Sequence, residues 1–306
     1  MSDSASSALP TASYPAPASD QGVAPVNDAV FSPVMASVLP GPGKPVRVHH
    51  LAQAKEAGEK ITMLTSYDAI TAAIFDQAGM DMLLVGDSIG NVVLGHSSTL
   101  PVELDEMIVA TRSVARSVKR AFVVADLPFG SYEAGPEQAL ASAVRLMKVG
   151  AHGVKLEGGQ PREAAVRALT EAGIPVVGHL GFTPQSVNML GGFRVQGRGN
   201  AAQALVRDAH ALANAGAVAL VLEMVPEPVA AQITDELDIP TIGIGAGARC
   251  DGQVLVWTDM AGMTSWSPRF AHQFGQVGQA LSQAVHSYAH AVKTGAFPAA
   301  EHWFDQ

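Results

Sequence analysis

Cysteine is almost missing from this chain: Cys250 is the only one in 306 residues. That excludes an internal disulfide and suits a reducing, cytoplasmic compartment. Charge is scarce as well. Asp, Glu, Lys and Arg make up 15% of the residues, and the formal net charge is -9. No basic cluster exceeds the pair Lys119–Arg120. Nucleic acid is therefore not an expected partner, because phosphate binding needs a basic surface. No apolar run approaches the ~20 residues of a membrane helix, so no membrane association is expected. The N-terminus lacks a basic stretch followed by an apolar core, which argues against a secretory signal.

Aromatic pairs and periodicity are lacking over residues 1–44, which are rich in Ala, Ser and Pro. This segment reads as a disordered extension. A transit peptide is the sharper alternative, weakened by Asp3, Asp20 and Asp28 and by the absence of any Arg before Arg47.

What is present in quantity is apolar sequence, 48% of residues, and glycine, with 30 residues. From residue 45 the text alternates between short Val/Leu-rich runs and amphipathic stretches that close on Gly. The apolar runs are 61–68, 82–87, 121–128, 153–159, 174–181, 217–225, 239–247 and 252–260. Runs of this kind read as strands buried on both faces of a parallel sheet. Eight of them, each but the last pair separated by a helical pattern, predict an α/β fold, a (β/α)8 TIM barrel over residues 45–306 with C-terminal helices. An open doubly wound sheet is the competing architecture. The terminal stretch, including QALSQAVHSYAHAVKTG, is compatible with packing under the barrel or against another subunit.

Four of the runs end in an acid: MLLVGD at Asp87, AFVVAD at Asp126, GVKLE at Glu157 and ALVLE at Glu223. A carboxylate at the end of a buried strand is costly unless a cation, a donor or a proton compensates it. On a barrel, all four would converge on the carboxyl-end rim, where catalytic groups sit. Two carboxylates on neighbouring strands, Asp87 and Asp126, suit Mg²⁺, which takes one or two protein carboxylates and completes its shell with water and substrate oxygens. Helix N-caps are the plainer reading of each Asp taken alone. Lys155 and Glu157 share one face of their strand by the period of two. Together they are either a structural ion pair or part of the site, with Lys155 neutralising a substrate carboxylate or forming a Schiff base. His179 ends its strand where it would donate to a substrate oxygen. Glu223, in an apolar run, is expected to have a raised pKa and to act as general base. The GIGAG turn at 243–247 offers small residues where a ligand would approach backbone N–H groups. The segment 182–200 is too long and Gly-rich for a plain connection and reads as a loop that covers or builds the site.

The strings TSYDAITA, VGDSIGNVVLGHSSTLPV, ADLPFGSY, VKLEGG, VVGHLGFTPQSVNMLGGFRVQGR, VLEMVP and IGIGAGARCDGQVLVWTDMAG resemble the ketopantoate hydroxymethyltransferase family. That family lies within the phosphoenolpyruvate mutase/isocitrate lyase group of barrels, and the likeness spans about residues 46–300. The resemblance implies transfer of a hydroxymethyl group from 5,10-methylenetetrahydrofolate to 3-methyl-2-oxobutanoate. The product is 2-dehydropantoate (ketopantoate) of pantothenate biosynthesis, formed through a Mg²⁺-stabilised enolate. It implies Asp87 and Asp126 as Mg²⁺ ligands, with Glu157 at the metal directly or through water. It places Asp87, Ser88, Asp126 and Lys155 at the 2-oxo acid, makes Glu223 the proton acceptor and sets His179 beside the keto oxygen. A large homo-oligomer, a decamer, is also implied. Phe182, where Leu is usual, and Gly130–Ser131 depart from the family pattern without touching these positions. Arg194 and Arg198 in the long loop are candidates for attracting the anionic folate. Three other functions remain compatible with the residues alone: a Schiff-base aldolase working through Lys155, a Mg²⁺-dependent C–C lyase without folate, and a non-enzymatic barrel.

Overall fold

The computed structural model describes residues 37–304. The first 36 residues of the expected extension lie outside that range. Eight strands form the core: β1 (Ile61–Thr65), β2 (Met82–Val85), β3 (Phe122–Asp126), β4 (Gly153–Glu157), β5 (Val176–Gly181), β6 (Ala219–Glu223), β7 (Thr241–Ile244) and β8 (Gly252–Leu255). They close into a barrel in chain order, all neighbours parallel, with β8 returning to β1 through the register pair Gly252–Ile61. The expected (β/α)8 barrel is the observed architecture.

The double burial of the strands explains their composition. Alternate residues such as Met63, Leu84, Val124, Val177, Val221 and Val254 belong to the cluster that fills the barrel interior. The intervening residues, including Leu83, Val123, Val154, Leu156 and Leu222, pack against the surrounding helices. Each fully buried Val or Leu of this kind contributes about 1.5–3 kcal/mol relative to exposure.

Local chemistry sets the helix starts. The Asp68 carboxylate accepts from the N–H groups of Ile70 (2.8 Å) and Thr71 (2.9 Å), opening the helix Ala69–Gln77. Glu106 reaches back to the Glu103 N–H at 2.8 Å at the start of Leu104–Ser117, a reciprocal cap. The capping role of Asp68 also shortens the first apolar run: the strand stops at Thr65, not at residue 68. At the last run the strand stops at Leu255, and Trp257–Met260 turns into a short helix whose first N–H donates to Thr65 Oγ1 at 2.9 Å.

The folded chain begins before residue 45, where the sequence placed its boundary. Leu39 is buried in the interior cluster, the Val38 N–H donates to Glu59 Oε2 at 2.8 Å, and the Pro40 carbonyl accepts from Arg120 Nε at 2.8 Å. Pro and Ser composition concealed an anchored strap. The expected terminal helix runs from Val277 to Thr294 and leaves Leu281, Val285 and Tyr288 exposed. Among the described residues no helix is long and apolar enough to cross a membrane.

Candidate active site

Asp126, Glu157 and Glu223 are the last residues of β3, β4 and β6. Parallel strands in one barrel share one carboxyl-end rim, so all three stand at the same mouth. Asp87 follows β2 after a single glycine. Register completes the placement, pairing Asp126 with Lys155 and Glu157 with His179. Lys155 and Glu157 share the inward face of β4, while Val154 and Leu156 face the helices.

The side chains form one continuous chain of contacts. The Asp87 N–H donates to Asp126 Oδ2 at 2.9 Å. Asp126 Oδ1 faces Lys155 Nζ at 3.1 Å as an ion pair without hydrogen-bond alignment. Lys155 Nζ stands 3.2 Å from His179 Nδ1, whose other neighbour is Glu157 Oε1 at 3.3 Å. His179 Nε2 lies 3.3 Å from Glu223 Oε2. Ser88 Oγ is held 2.8 Å from the Tyr67 hydroxyl beside this cluster. The seven residues singled out from the sequence are therefore brought to one site.

Burial governs the charges. It pushes the Glu157 carboxyl up to about 7, against the pull of Lys155 and the Gln185 N–H. Burial, then the neighbouring Asp126 and Glu157 carboxylates, raises Asp87 well above the usual carboxylate range. For Lys155, burial alone would favour the neutral amine. The surrounding Asp126, Glu157 and Asp87 carboxylates outweigh it and hold the ammonium form. His179 is lowered by burial and by Lys155. A neutral imidazole facing an ammonium must accept at Nδ1, which puts its proton on Nε2, toward Glu223.

Glu223 is the least buried carboxylate in these ion pairs of the site. Its side chain is 16% exposed, against 2% to 4% for Asp126, Lys155, Glu157 and His179. Burial makes the Glu157 and Asp87 carboxyls more basic, while Glu223 is the carboxylate of the set most open to solvent. The GIGAG glycines differ from expectation: a side chain at Gly245 would meet Phe270, and one at Gly247 would meet Glu227. Their space is taken by the chain itself. Arg194 and Arg198 are exposed on the long loop, and among the described residues neither joins an ion pair with the cluster.

Two residues escaped the sequence reading. Gln185, in the long segment, donates from Nε2 to Asp87 Oδ2 at 2.8 Å and from its backbone N–H to Glu157 Oε2 at 2.9 Å. Tyr132 donates its hydroxyl to Gln185 Oε1 at 2.5 Å. Neither lies at a strand end or in a periodic segment, so pattern gave no signal for them.

A family model described as ketopantoate hydroxymethyltransferase matches residues 45–300. The chain belongs to the ketopantoate hydroxymethyltransferase family. A 3-methyl-2-oxobutanoate hydroxymethyltransferase from Leifsonia xyli is 57% identical over 274 residues, covering 89% of this chain and 99% of the relative. One from Mycolicibacterium paratuberculosis is 59% identical over 261 residues, covering 85% and 92%. Among solved structures, a phosphonopyruvate hydrolase complexed with oxalate and Mg²⁺ aligns with a TM-score of 0.55 at 13% identity, over 83% of this chain and 92% of that one. A 2,3-dimethylmalate lyase, a member of the PEP mutase/isocitrate lyase superfamily, aligns at 0.54 and 16% identity, over 85% and 92%. At such identities the structural likeness speaks for the fold; family membership of the ketopantoate hydroxymethyltransferase rests on the sequence matches.

Proposed function

We propose that this protein transfers a hydroxymethyl group from 5,10-methylenetetrahydrofolate to 3-methyl-2-oxobutanoate, giving ketopantoate for pantothenate biosynthesis in the cytoplasm. The observation that carries the mechanism is the unbroken run of contacts from Asp87 to Glu223 at the barrel mouth.

The carboxylates of the site suit a divalent cation. Asp126 Oδ1 and Glu157 Oε1 are buried oxygens with no hydrogen-bond donor, and one lysine stands against four acids. Asp87 and Asp126 would hold Mg²⁺. Among the described residues no three His, Cys, Asp or Glu side chains are gathered as a ready cage, and Glu157 would join the ion directly or through water. When bound, the ion supplies Lewis-acid polarisation of the substrate's keto and carboxylate oxygens.

The protein groups divide the remaining work. Glu223, the accessible carboxylate, takes the proton from C3 of the 2-oxo acid. Lys155 keeps a positive charge beside the negative charge that develops on the enolate, and stabilising developing charge is commonly the largest catalytic contribution. His179 presents Nε2–H at the same edge, where it donates to the keto oxygen or to Glu223. Ser88, fixed by Tyr67, and the Asp87 backbone orient the substrate carboxylate end. The enolate carbon then bonds to the one-carbon unit of the folate; overall one water is consumed, its oxygen becoming the new hydroxyl, both C–N bonds to that carbon break, and tetrahydrofolate leaves carrying the nitrogens' protons. A Schiff base at Lys155 is disfavoured, because its ammonium is clamped between Asp126 and His179.

The family resemblance adds a homo-oligomer, a decamer, and the exposed Leu281, Val285 and Tyr288 on the terminal helix supply an apolar face for a second copy. The deciding assay is folate-dependent ketopantoate formation with and without Mg²⁺. Product only with both is expected. Cleavage of a 2-oxo acid without folate, or full activity in EDTA with borohydride-trappable Lys155, would replace this reading.

A further inference from the structure

Each buried carboxylate of the site has one tethered oxygen and one left over. Asp126 is tethered through Oδ2 by the Asp87 N–H, leaving Oδ1 with only the Lys155 ion pair. Glu157 is tethered through Oε2 by the Gln185 N–H, leaving Oε1 without a donor. Asp87 is tethered through Oδ2 by the Gln185 side-chain amide. A single residue therefore holds two of the three carboxylates, one with its main chain and one with its side chain.

Gln185 is itself fixed from three directions. Its Nε2 also donates to the Leu127 carbonyl at 3.0 Å, and its Oε1 accepts from the Tyr132 hydroxyl. The Tyr132 hydroxyl also accepts from the Glu157 N–H at 3.3 Å. The amide has both donors and its acceptor engaged, which fixes which end of the group points at Asp87. A carboxylate without such a donor rotates freely about its last torsion and presents either oxygen. Groups that orient a metal-binding carboxylate from behind raise its affinity for the ion without touching it.

We propose that Gln185 is a positioning residue. It presents Asp87 Oδ1 and Glu157 Oε1 toward the cation and so sets the affinity of the site for a divalent metal, without contacting substrate. The proposal rests on the metal-dependent reading above. Because Gln185 belongs to the segment that follows β5, it also ties that segment to the carboxylates: displacement of residue 185 withdraws donors from Asp87 and Glu157 together.

The test is Mn²⁺ binding to the full-length protein without substrate, read as free Mn²⁺ by electron paramagnetic resonance, alongside steady-state kinetics. In Q185M, which keeps the backbone N–H and the side-chain volume but removes the amide, the Mn²⁺ dissociation constant should rise about tenfold. The kcat should fall, partly recovering at saturating Mg²⁺, and KM for folate should be unchanged. Tyr132→Phe, which frees Oε1 while sparing every direct carboxylate contact of Gln185, should give a smaller change of the same kind. That variant carries the test if Q185M does not fold. Wild-type Mn²⁺ affinity in whichever of the two variants folds would overturn the positioning role. Failure of the wild-type protein to bind Mn²⁺ would overturn the metal reading itself and this role with it.

Discussion

Asp126 and Lys155 are register partners on adjacent strands, and their side chains meet at 3.1 Å with both almost fully buried. Among the described residues Lys155 is the only lysine or arginine paired with the cluster of four acids, so its removal leaves charge uncompensated. Truncating one partner of a buried pair costs about 3–5 kcal/mol. Lys155→Met is expected to lose that order of stability in urea unfolding. It should also lose at least ~10²-fold in turnover, the scale of deleting one electrostatic donor from an active site. Unchanged stability would mean that the four acids do not depend on this ammonium.

Two glycines separate effects on the site from effects on the fold. A Cβ at Gly86 would lie 2.8 Å from Ser88 Oγ and 3.6 Å from Asp126 Oδ2. The hydroxyl ends a short rotatable side chain and can turn away from Tyr67. Gly86→Ala should therefore fold, with KM for the 2-oxo acid raised about tenfold, equivalent to ~1.4 kcal/mol of binding. Gly181 has φ +94°, and a Cβ there would come within 2.2 Å of the Glu223 carbonyl oxygen. Backbone cannot yield so easily, and Gly181→Ala should cost about 2 kcal/mol or more of stability. Thermal denaturation of both variants beside substrate titrations distinguishes the two outcomes.

The barrel was legible because both faces of strands β2 to β7 are largely apolar and because helical stretches with Gly stops separate most of the strands. The acids at Asp126, Glu157 and Glu223 were legible for the same reason: each interrupts an apolar run at its last residue. Gln185 and Tyr132 were not, since a loop residue's contacts depend on how the chain turns, not on a period. The filling of the GIGAG turn by Phe270 and Glu227 depends on residues distant in sequence. The strap at residues 37–44 was hidden because it is anchored largely by backbone groups of Val38 and Pro40 and by one buried side chain, Leu39, which composition does not reveal.

Protonation of His152 should weaken the fold. Its Nδ1 accepts from the Val123 N–H at 3.0 Å, and burial lowers its pKa from 6.5. The folded state thus favours the neutral ring. The contribution is complete above the unfolded value of 6.5 and is lost as pH falls below it toward the lower folded value. His179, lowered by burial and Lys155, acts with the same sign. The raised Glu157 and Asp87 carboxyls act with the opposite sign as pH falls, so the His152 contribution is read as a difference between two proteins. Below about pH 6.5 the urea midpoint of the wild type should fall relative to that of His152→Gln, which keeps an acceptor but cannot titrate. Equal slopes in the two proteins would remove His152 from the account.

The central claim is that Glu223 takes the C3 proton of a 2-oxo acid held by Asp87, Asp126 and Lys155. It is tested most directly by following the C3 proton of 3-methyl-2-oxobutanoate in D₂O by ¹H NMR, with Mg²⁺ and without folate. Wild-type protein should wash the signal out, while Glu223→Gln should leave it intact and still bind Mn²⁺ normally. Wash-out at the wild-type rate by Glu223→Gln would contradict the account.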